Sequence, residues 1–329
     1  MKFLITLLFA ASFSFCAAQI QNMVFEGAGI RGIAYGGVIK VLEQEDMIKD
    51  LQKVGGTSAG AITALALCLG YKAAEIDSLI FNTNFKKFND GKFPFAGGIH
   101  RLYKHFGWYR GNRFSNWIGK VIARKTGMAE ITFRQLYENG YKDLYITGTC
   151  LNKQKFIVFS RLSYPDMKVK DAIRISMSIP LYFEAVWIDK TGKVFSKSAE
   201  DLDLMVDGGM LANFPIQIFD SINNHSRVAN MKTVGIRIDS DEQIEADKKD
   251  KNLMTYPIKK FKDYAGAFYT LLLETPNRNT LTDDDWNRTV SVSSKGIGPR
   301  LKKLSVAEKN ALLQSGEEAM RRFLNMSSQ

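Results

Sequence analysis

Three short stretches of this chain hold residues whose types and spacing can do chemistry. In Val54-Gly55-Gly56-Thr57-Ser58-Ala59-Gly60-Ala61-Ile62, Gly56 and Gly60 flank Ser58 at the spacing of a nucleophile elbow. Gly27-Ala28-Gly29-Ile30-Arg31-Gly32 is a glycine-rich loop able to aim backbone N–H groups at a negative oxygen. Asp207-Gly208-Gly209 ends an apolar stretch with a carboxylate. A serine hydroxyl attacks a carbonyl when a neighbouring base takes its proton and preorganised donors hold the oxyanion that forms. Nucleophile, donors and base are all represented, although each stretch has a plainer reading. Ser58 can cap a helix, Arg31 can sit in a structural ion pair, and Asp207 can satisfy its own turn.

The elements around these residues decide whether they meet. Residues 51–54 read as a short strand and residues 59–70, nearly all apolar and closed by Gly70, as a helix, so Ser58 lies in the turn between them. A turn that sharp brings the residues two before and two after the serine together, which is a reason for Gly56 and Gly60, with Thr57 and Ala59 completing the elbow. The helix start behind the hydroxyl offers free N–H groups and a positive dipole end. Residues 21–26 read as the first strand and 33–45 as a helix, with the glycine loop between them. If the two strands are neighbours in a parallel sheet, their loops converge on one crevice and residues 27–32 face Ser58. Arg31 would add a fixed positive charge for a phosphate or for the oxyanion. Residues 204–207 form an apolar strand that delivers Asp207 to a loop, where α/β folds place functional groups. Asn213-Phe214-Pro215 follow, and residues 234–238 give one further strand.

Between these stretches, helices are expected at 74–82, 113–125 and 169–179, the last stopped by Pro180. Residues 142–150 and 155–160 pair as strands around Asn152-Lys153, and 182–187 are extended. Residues 85–112 read as aromatic, glycine-bearing and irregular. Phe93, Phe95, Phe106, Trp108, Tyr109 and Trp117 are expected in the core, with a lipid-facing rim or lid as the alternative. Amphipathic helices are expected at 263–274, where one would cover a cleft, and at 305–324.

The opening strand, glycine loop and helix also match a dinucleotide-binding fingerprint. That reading needs an acid at the end of the second strand, yet Asp46 and Asp50 precede the strand and Gly55-Gly56-Thr57-Ser58 end it. Nucleotide binding through residues 27–32 is the alternative function. For a serine nucleophile the usual base is a histidine oriented by an acid, and chain order nominates Ser58, Asp207 and His225. His225 sits in the polar turn Asn223-Asn224-His225-Ser226, and His100 and His105 fall in the irregular region. A dyad in which Asp207 takes the proton itself is sound chemistry, provided partial burial raises its proton affinity.

At 329 residues, with 45% hydrophobic and 24% charged content, the chain is an ordinary folded protein of one large α/β domain or two modest ones. Residues 1–18 read as a secretory signal peptide: Lys2 precedes Phe3-Leu4-Ile5-Thr6-Leu7-Leu8-Phe9-Ala10, and Cys16-Ala17-Ala18 offers small residues for cleavage. The run is too short for a membrane span, and bulky Phe15 argues against lipidation of Cys16. The expected destination is the periplasm, the cell envelope or the exterior, without a transmembrane segment. Cys68 and Cys150 then remain and read as buried thiols. With His100, His105 and His225 they show no metal-ligand spacing, so no metal is expected. In an exported protein the net charge of +11 points to an anionic membrane surface and not to nucleic acid. Basic clusters occur at Lys248-Lys249, at Lys259-Lys260 with Lys262, and at Arg300 with Lys302-Lys303; the middle one neighbours Phe261, Tyr264, Phe268 and Tyr269. A solvated basic helix face is the plainer reading.

In their order and spacing, the loop at residues 27–32, the elbow at residues 56–60 and Asp207-Gly208-Gly209 resemble the three motifs of the patatin-like phospholipase family. Ala172-Ile173-Arg174-Ile175-Ser176-Met177-Ser178-Ile179-Pro180 resembles the helix that precedes the aspartate in that family. The likeness covers residues 23–219. It implies a three-layer α/β/α fold with a mainly parallel central sheet flanked by helices. It also implies a single catalytic domain over residues 19–219, with residues 220–329 completing the sheet and adding a helical extension. The implied activity is a serine acyl hydrolase that cleaves fatty-acyl esters of phospholipids or related lipids without metal or organic cofactor. Ser58 would attack, Asp207 would take and return the proton, and N–H groups around Gly27, Ala28, Gly29 and Ile30 would hold the oxyanion. Ala28 departs from the glycine of many relatives but keeps its backbone donor. A catalytically silent lipid-binding relative is the other possibility that the resemblance carries.

Overall fold

A computed structural model describes residues 20–81, 83, 85–91, 95–249, 255, 257–273, 278, 280–299 and 304–327. The expected signal peptide, Phe93 and the basic cluster formed by Arg300, Lys302 and Lys303 lie outside the described residues. From the N-terminus, β1 (Asn22–Phe25) leads through the glycine loop and a 3-10 turn (Gly29–Ile33) into α1 (Ala34–Gln44). β2 (Lys53–Gly56) leads through Ser58 into α2 (Ala59–Cys68), followed by α3 (Ala73–Phe81).

The next segment is more regular than its composition suggested. It forms α4 (Ala96–His105) and β3 (Gly107–Tyr109) before α5 (Asn112–Thr126). The Ala96-Gly97-Gly98 start hides the helical pattern of α4. Nor are its aromatics uniformly core. Phe95 and Phe106 are exposed, whereas Tyr109 and Trp117 are half-buried against the core. A capping box opens α6 (Phe133–Glu138): Thr132 Oγ1 accepts the Gln135 N–H at 3.2 Å, and Gln135 Oε1 accepts the Thr132 N–H at 3.0 Å.

Strand β4 (Asp143–Cys150) turns back into β5 (Lys155–Phe159), and α7 (Val169–Ser176) ends earlier than the sequence pattern implied. Three short strands, β6 (Leu181–Phe183), β7 (Val186–Ile188) and β8 (Val194–Phe195), precede β9 (Asp203–Asp207) and α8 (Gly209–Ala212). The hairpin of β10 (Ser221–Asn223) and β11 (Ser226–Val228) leads to β12 (Thr233–Asp239), α9 (Asp241–Lys249), α10 (Phe261–Leu273) and α11 (Asp283–Asn287). Last come β13 (Thr289–Ser293) and α12 (Val306–Ser327).

The central sheet has nine strands in the order β13-β12-β1-β2-β4-β9-β7-β8, with β5 also on β4. From β13 to β4 every pairing is parallel; the strands beyond β4 are antiparallel. Helices flank this mainly parallel sheet in a three-layer α/β/α arrangement, which is why β1 and β4 are buried along their whole length. α12 lies along α1, where Lys40 meets Glu317 at 2.7 Å. Strands and helix from beyond residue 220 are thus integral to the sheet and its cover.

Register explains how Asp207 comes level with Ser58. Phe25 of β1 pairs with Gly56 of β2, and Gly56 pairs with Ile146 of β4. β4 runs on past β2, and the overhang pairs with β9, placing Asp207 opposite Gly148. Two residues beyond Ile146 on β4 and two residues beyond Gly56 on β2 are the same height in the sheet. Asp207 therefore arrives at a strand end, as expected, and the strand that carries it is antiparallel to β4.

Candidate active site

The elbow is built by steric exclusion. Ser58 has φ 52° and ψ −119°, a conformation rarely adopted by a residue with a side chain, and α2 starts directly after it. A Cβ on Gly56 would stand 2.6 Å from the carbonyl of Gly60, and one on Gly60 would stand 2.3 Å from the carbonyl oxygen of Phe25. Neither position tolerates a side chain. Thr57 anchors the turn from below: its hydroxyl donates to the Ala212 carbonyl at 2.9 Å and lies 2.7 Å from Thr147 Oγ1.

The Ser58 hydroxyl lies at hydrogen-bond reach of the Asp207 carboxyl and 3.4 Å from Met177 Sδ. The hydroxyl donates to the thioether, a weak acceptor, while the nearby carboxyl of Asp207 is the stronger base within its surroundings. Asp207 Oδ1 also accepts the Gly209 N–H at 2.8 Å. Burial pushes the Asp207 carboxyl up to about 7, against the opposing pull of the hydrogen bonds from Gly209 and Ser58. This is the raised proton affinity that a carboxylate base working at neutral pH requires.

The glycine loop sits beside the elbow, as the parallel pairing of β1 and β2 dictates. Its amides are not equivalent. Gly27 N–H donates to Asn213 O at 2.9 Å, Ile30 N–H to Pro299 O at 3.3 Å, and Arg31 N–H to Ala28 O at 3.2 Å. Among the described residues, the amides of Ala28 and Gly29 have no such partner. Gly29 has φ 56°, and a Cβ there would lie 2.1 Å from Pro299 O, so only glycine fits.

Residues 23–220 match the patatin-like phospholipase family. The chain belongs to that family. Membership makes it a lipid hydrolase. Over 250 residues it is 29% identical to the uncharacterized protein R571 of Acanthamoeba polyphaga mimivirus, covering 75% of this chain and 74% of that one. Over 232 residues it is 25% identical to the probable lipid hydrolase 463L of Invertebrate iridescent virus 6, covering 68% and 70% respectively. Among solved structures it resembles VipD from Legionella pneumophila with a TM-score of 0.60 at 14% identity, over 93% of this chain and 67% of VipD, a likeness of fold.

In this patatin-like protein one tripeptide touches both Ser58 and Asp207 without any local signature of that role. In Ser176-Met177-Ser178, Ser176 Oγ accepts the Ser58 N–H at 2.9 Å, and Ser178 O accepts the Asp207 N–H at 3.0 Å. Arg174 fixes the segment from behind. It bonds the Ser178 hydroxyl and donates to the carbonyls of Arg110, at 2.6 Å, and Glu184, at 3.0 Å. Burial lowers the Arg174 guanidinium to about 10, which leaves it charged at neutral pH. Asn213 clamps the other side: its Nδ2 donates to Gly27 O at 2.9 Å while its carbonyl receives the Gly27 N–H.

Arg31 turns its Nε back onto the glycine loop. It is buried, and Nε donates to Ala28 O at 3.2 Å. Its charge acts on Asp239, a member of a buried cluster with Glu26, Arg237, Arg278 and Asp247. Burial alone would raise the Asp239 carboxyl, but Arg237, Arg278 and Arg31 hold it below the usual range. Glu26 Oε2 accepts the Ile238 N–H at 3.0 Å, so the cluster ties the root of the glycine loop to β12. Gly32 lies in the buried 3-10 turn, and a Cβ on Gly208 would stand 2.2 Å from Thr147 Oγ1. His225 occupies the exposed tip of the β10–β11 hairpin with φ 64°, and His100 and His105 are exposed on α4. Among the described residues, no histidine hydrogen-bonds to Ser58 or Asp207, no three His, Cys, Asp or Glu side chains gather as metal ligands, and both remaining cysteines are free and buried.

Proposed function

We propose that the protein is a serine acyl hydrolase that cleaves fatty-acyl esters of phospholipids or related lipids through a Ser58–Asp207 dyad. Asp207 takes the hydroxyl proton as Ser58 Oγ bonds to the ester carbonyl carbon. The negative oxygen is received by the amides of Ala28 and Gly29, for which no backbone partner stands among the described residues. Collapse breaks the ester C–O bond, and Asp207 returns the proton to the departing alcohol. Water then attacks the acyl-serine, gives its proton to Asp207, and leaves a fatty acid with Ser58 restored. The observation that most supports this reading is a buried carboxyl, pushed up to about 7, at hydrogen-bond reach of a hydroxyl on a strained elbow.

Residues 19–219 would be the catalytic part, with β12 and β13 from residues 220–329 completing its sheet. The pattern of residues 1–18 favours export, and the net charge of +11 favours contact with anionic membrane surfaces. No helix among the described residues is long and apolar enough to cross a membrane. The test is fatty-acid release by the chain starting at residue 19, measured on defined phospholipids, lysolipids and neutral lipids. Release that is lost in Ser58→Ala and in Asp207→Asn is the expected outcome; release that survives either change overturns the dyad.

A further inference from the structure

We infer that the protein docks on anionic phospholipid bilayers through two exposed apolar stripes, one on α10 and one along α4. The inference deepens the hydrolase reading by naming the surface that presents the lipid, but docking itself is measured without turnover. On α10, Phe261, Tyr264, Phe268 and Leu271 are spaced 3, 4 and 3 residues apart, so at ~100° per residue they share one face. They are 84%, 56%, 53% and 59% exposed. The three rings form a ladder, with centroids 6.5 Å apart from Phe261 to Tyr264 and 6.4 Å from Tyr264 to Phe268. At α4, the N-cap Phe95 and the helical Ile99 and Tyr103 repeat the pattern at spacings of 4 and 4, Phe106 follows at the left-handed C-cap, and all four are exposed. Single exposed hydrophobes are ordinary, but aligned stripes of this kind mark interaction surfaces.

Both helices are fastened to the segments that carry the dyad. α10 packs beside α8, the short helix that starts immediately after Asp207-Gly208, and Leu211 of α8 is itself exposed. α4 leads into β3, which pairs with β6 through Gly107↔Leu181 and Tyr109↔Phe183. β6 follows the residues that hold Ser58 and Asp207, and exposed Leu181 continues the apolar surface. Ser58 and Asp207 are buried.

Charge selects the occupant. Exposed Lys259 and Lys260 stand at the N-terminal end of the α10 ladder, next to exposed Ile258, and Lys104 and His105 are exposed within and beside the α4 stripe. Aromatic rings among lysines suit the headgroup level of a bilayer, where the rings enter and the ammonium groups meet anionic lipid. A second copy fits worse, because a symmetric contact would bring two lysine pairs of one sign together between molecules that each carry +11.

The test uses co-sedimentation of the chain starting at residue 19, carrying Ser58→Ala so that lipid is not consumed. Vesicles are phosphatidylcholine alone or phosphatidylcholine with phosphatidylglycerol. Binding should be roughly tenfold or more tighter to the anionic vesicles and should weaken with salt. Phe261→Ser/Phe268→Ser and Lys259→Glu/Lys260→Glu should each lower it by roughly tenfold or more. In the wild-type background those variants should hydrolyse a short-chain soluble ester as the parent does, with unchanged thermal unfolding. Unaltered vesicle binding by the α10 variants overturns the inference. So does a dimer that the aromatic substitutions convert to monomer while vesicle binding persists. Vesicle binding without ester turnover supports docking and removes the hydrolase reading instead.

Discussion

Replacing Asp207 by asparagine should make the protein more stable and catalytically silent, and the size of the first effect follows from the burial of one carboxyl. The carboxyl moves from an ordinary 3.8 to about 7 in the fold, chiefly through burial. At ~1.4 kcal/mol per unit, that displacement corresponds to about 4 kcal/mol between the protonated and ionised forms. Between pH 3.8 and about 7 the folded chain keeps a proton that the unfolded chain releases, so this group's contribution to stability is lost as pH rises through that window. Asparagine keeps the side-chain oxygen that accepts the Gly209 N–H but carries no charge. The stability difference between Asp207→Asn and wild type should therefore be near zero below pH 4. It should grow with pH and level off above pH 7 at up to ~4 kcal/mol in favour of the variant. Urea unfolding followed by tryptophan fluorescence at closely spaced pH values measures it, and other titrating groups cancel in the difference. Turnover of a soluble ester should fall by roughly 10³-fold or more in the variant, while wild-type kcat/KM should rise with pH to a midpoint near 7 as the base is freed. Parallel stability curves for the two proteins between pH 4 and 8 would refute the reasoning, because Asp207 would then titrate as an ordinary carboxyl.

Other substitutions probe the supports of the site. Ser176→Ala removes the acceptor of the Ser58 N–H and leaves a buried donor unpaired, so stability should fall by ~1–3 kcal/mol. Its kcat should drop roughly tenfold or more with KM and pH midpoint unchanged, and Ser176→Thr should restore most of it, as steady-state kinetics would show. Gly60→Ala places a Cβ 2.3 Å from Phe25 O and 2.5 Å from Glu26 O and should destabilise by more than ~2 kcal/mol in thermal unfolding. Gly119→Ala in α5, whose new Cβ makes only ordinary contacts, should lose nothing. His225→Ala alters an exposed hairpin tip and should leave turnover within ~2-fold of wild type in the same ester assay; a large loss there would restore the triad.

The elbow is legible because its signature is local: a side chain on Gly56 is excluded by Gly60 and Phe25, one on Gly60 by Phe25 and Glu26, and that exclusion shows in the sequence. The glycine loop was legible for the same reason. Which of its amides are available was not, since Asn213 and Pro299 take two of them from far along the chain. The choice of base had a similar limit. A strand end with an acid is visible, but its placement level with Ser58 depends on the overhang of β4 and on the antiparallel direction of β9. The roles of Ser176 and Ser178 are not legible, because their hydrogen bonds to Ser58 and Asp207 are tertiary. β13 escaped notice since Thr289-Val290-Ser291-Val292-Ser293 is a short edge strand of modest hydrophobicity. Arg31 acts on Asp239 of β12, a charge far from it in the sequence. Exposure of Phe95 and burial of Phe114 cannot be told apart from residue type, so the core assignment of the aromatics failed where α4 turns a stripe outward.

A fluorophosphonate probe reports directly on the claim that Ser58 is a nucleophile activated by Asp207. Intact-mass and peptide mass spectrometry of the labelled chain should find one adduct, on Ser58. It should be absent from Ser58→Ala and form far more slowly in Asp207→Asn. An adduct on any other residue, or labelling that persists in Ser58→Ala, would contradict the account.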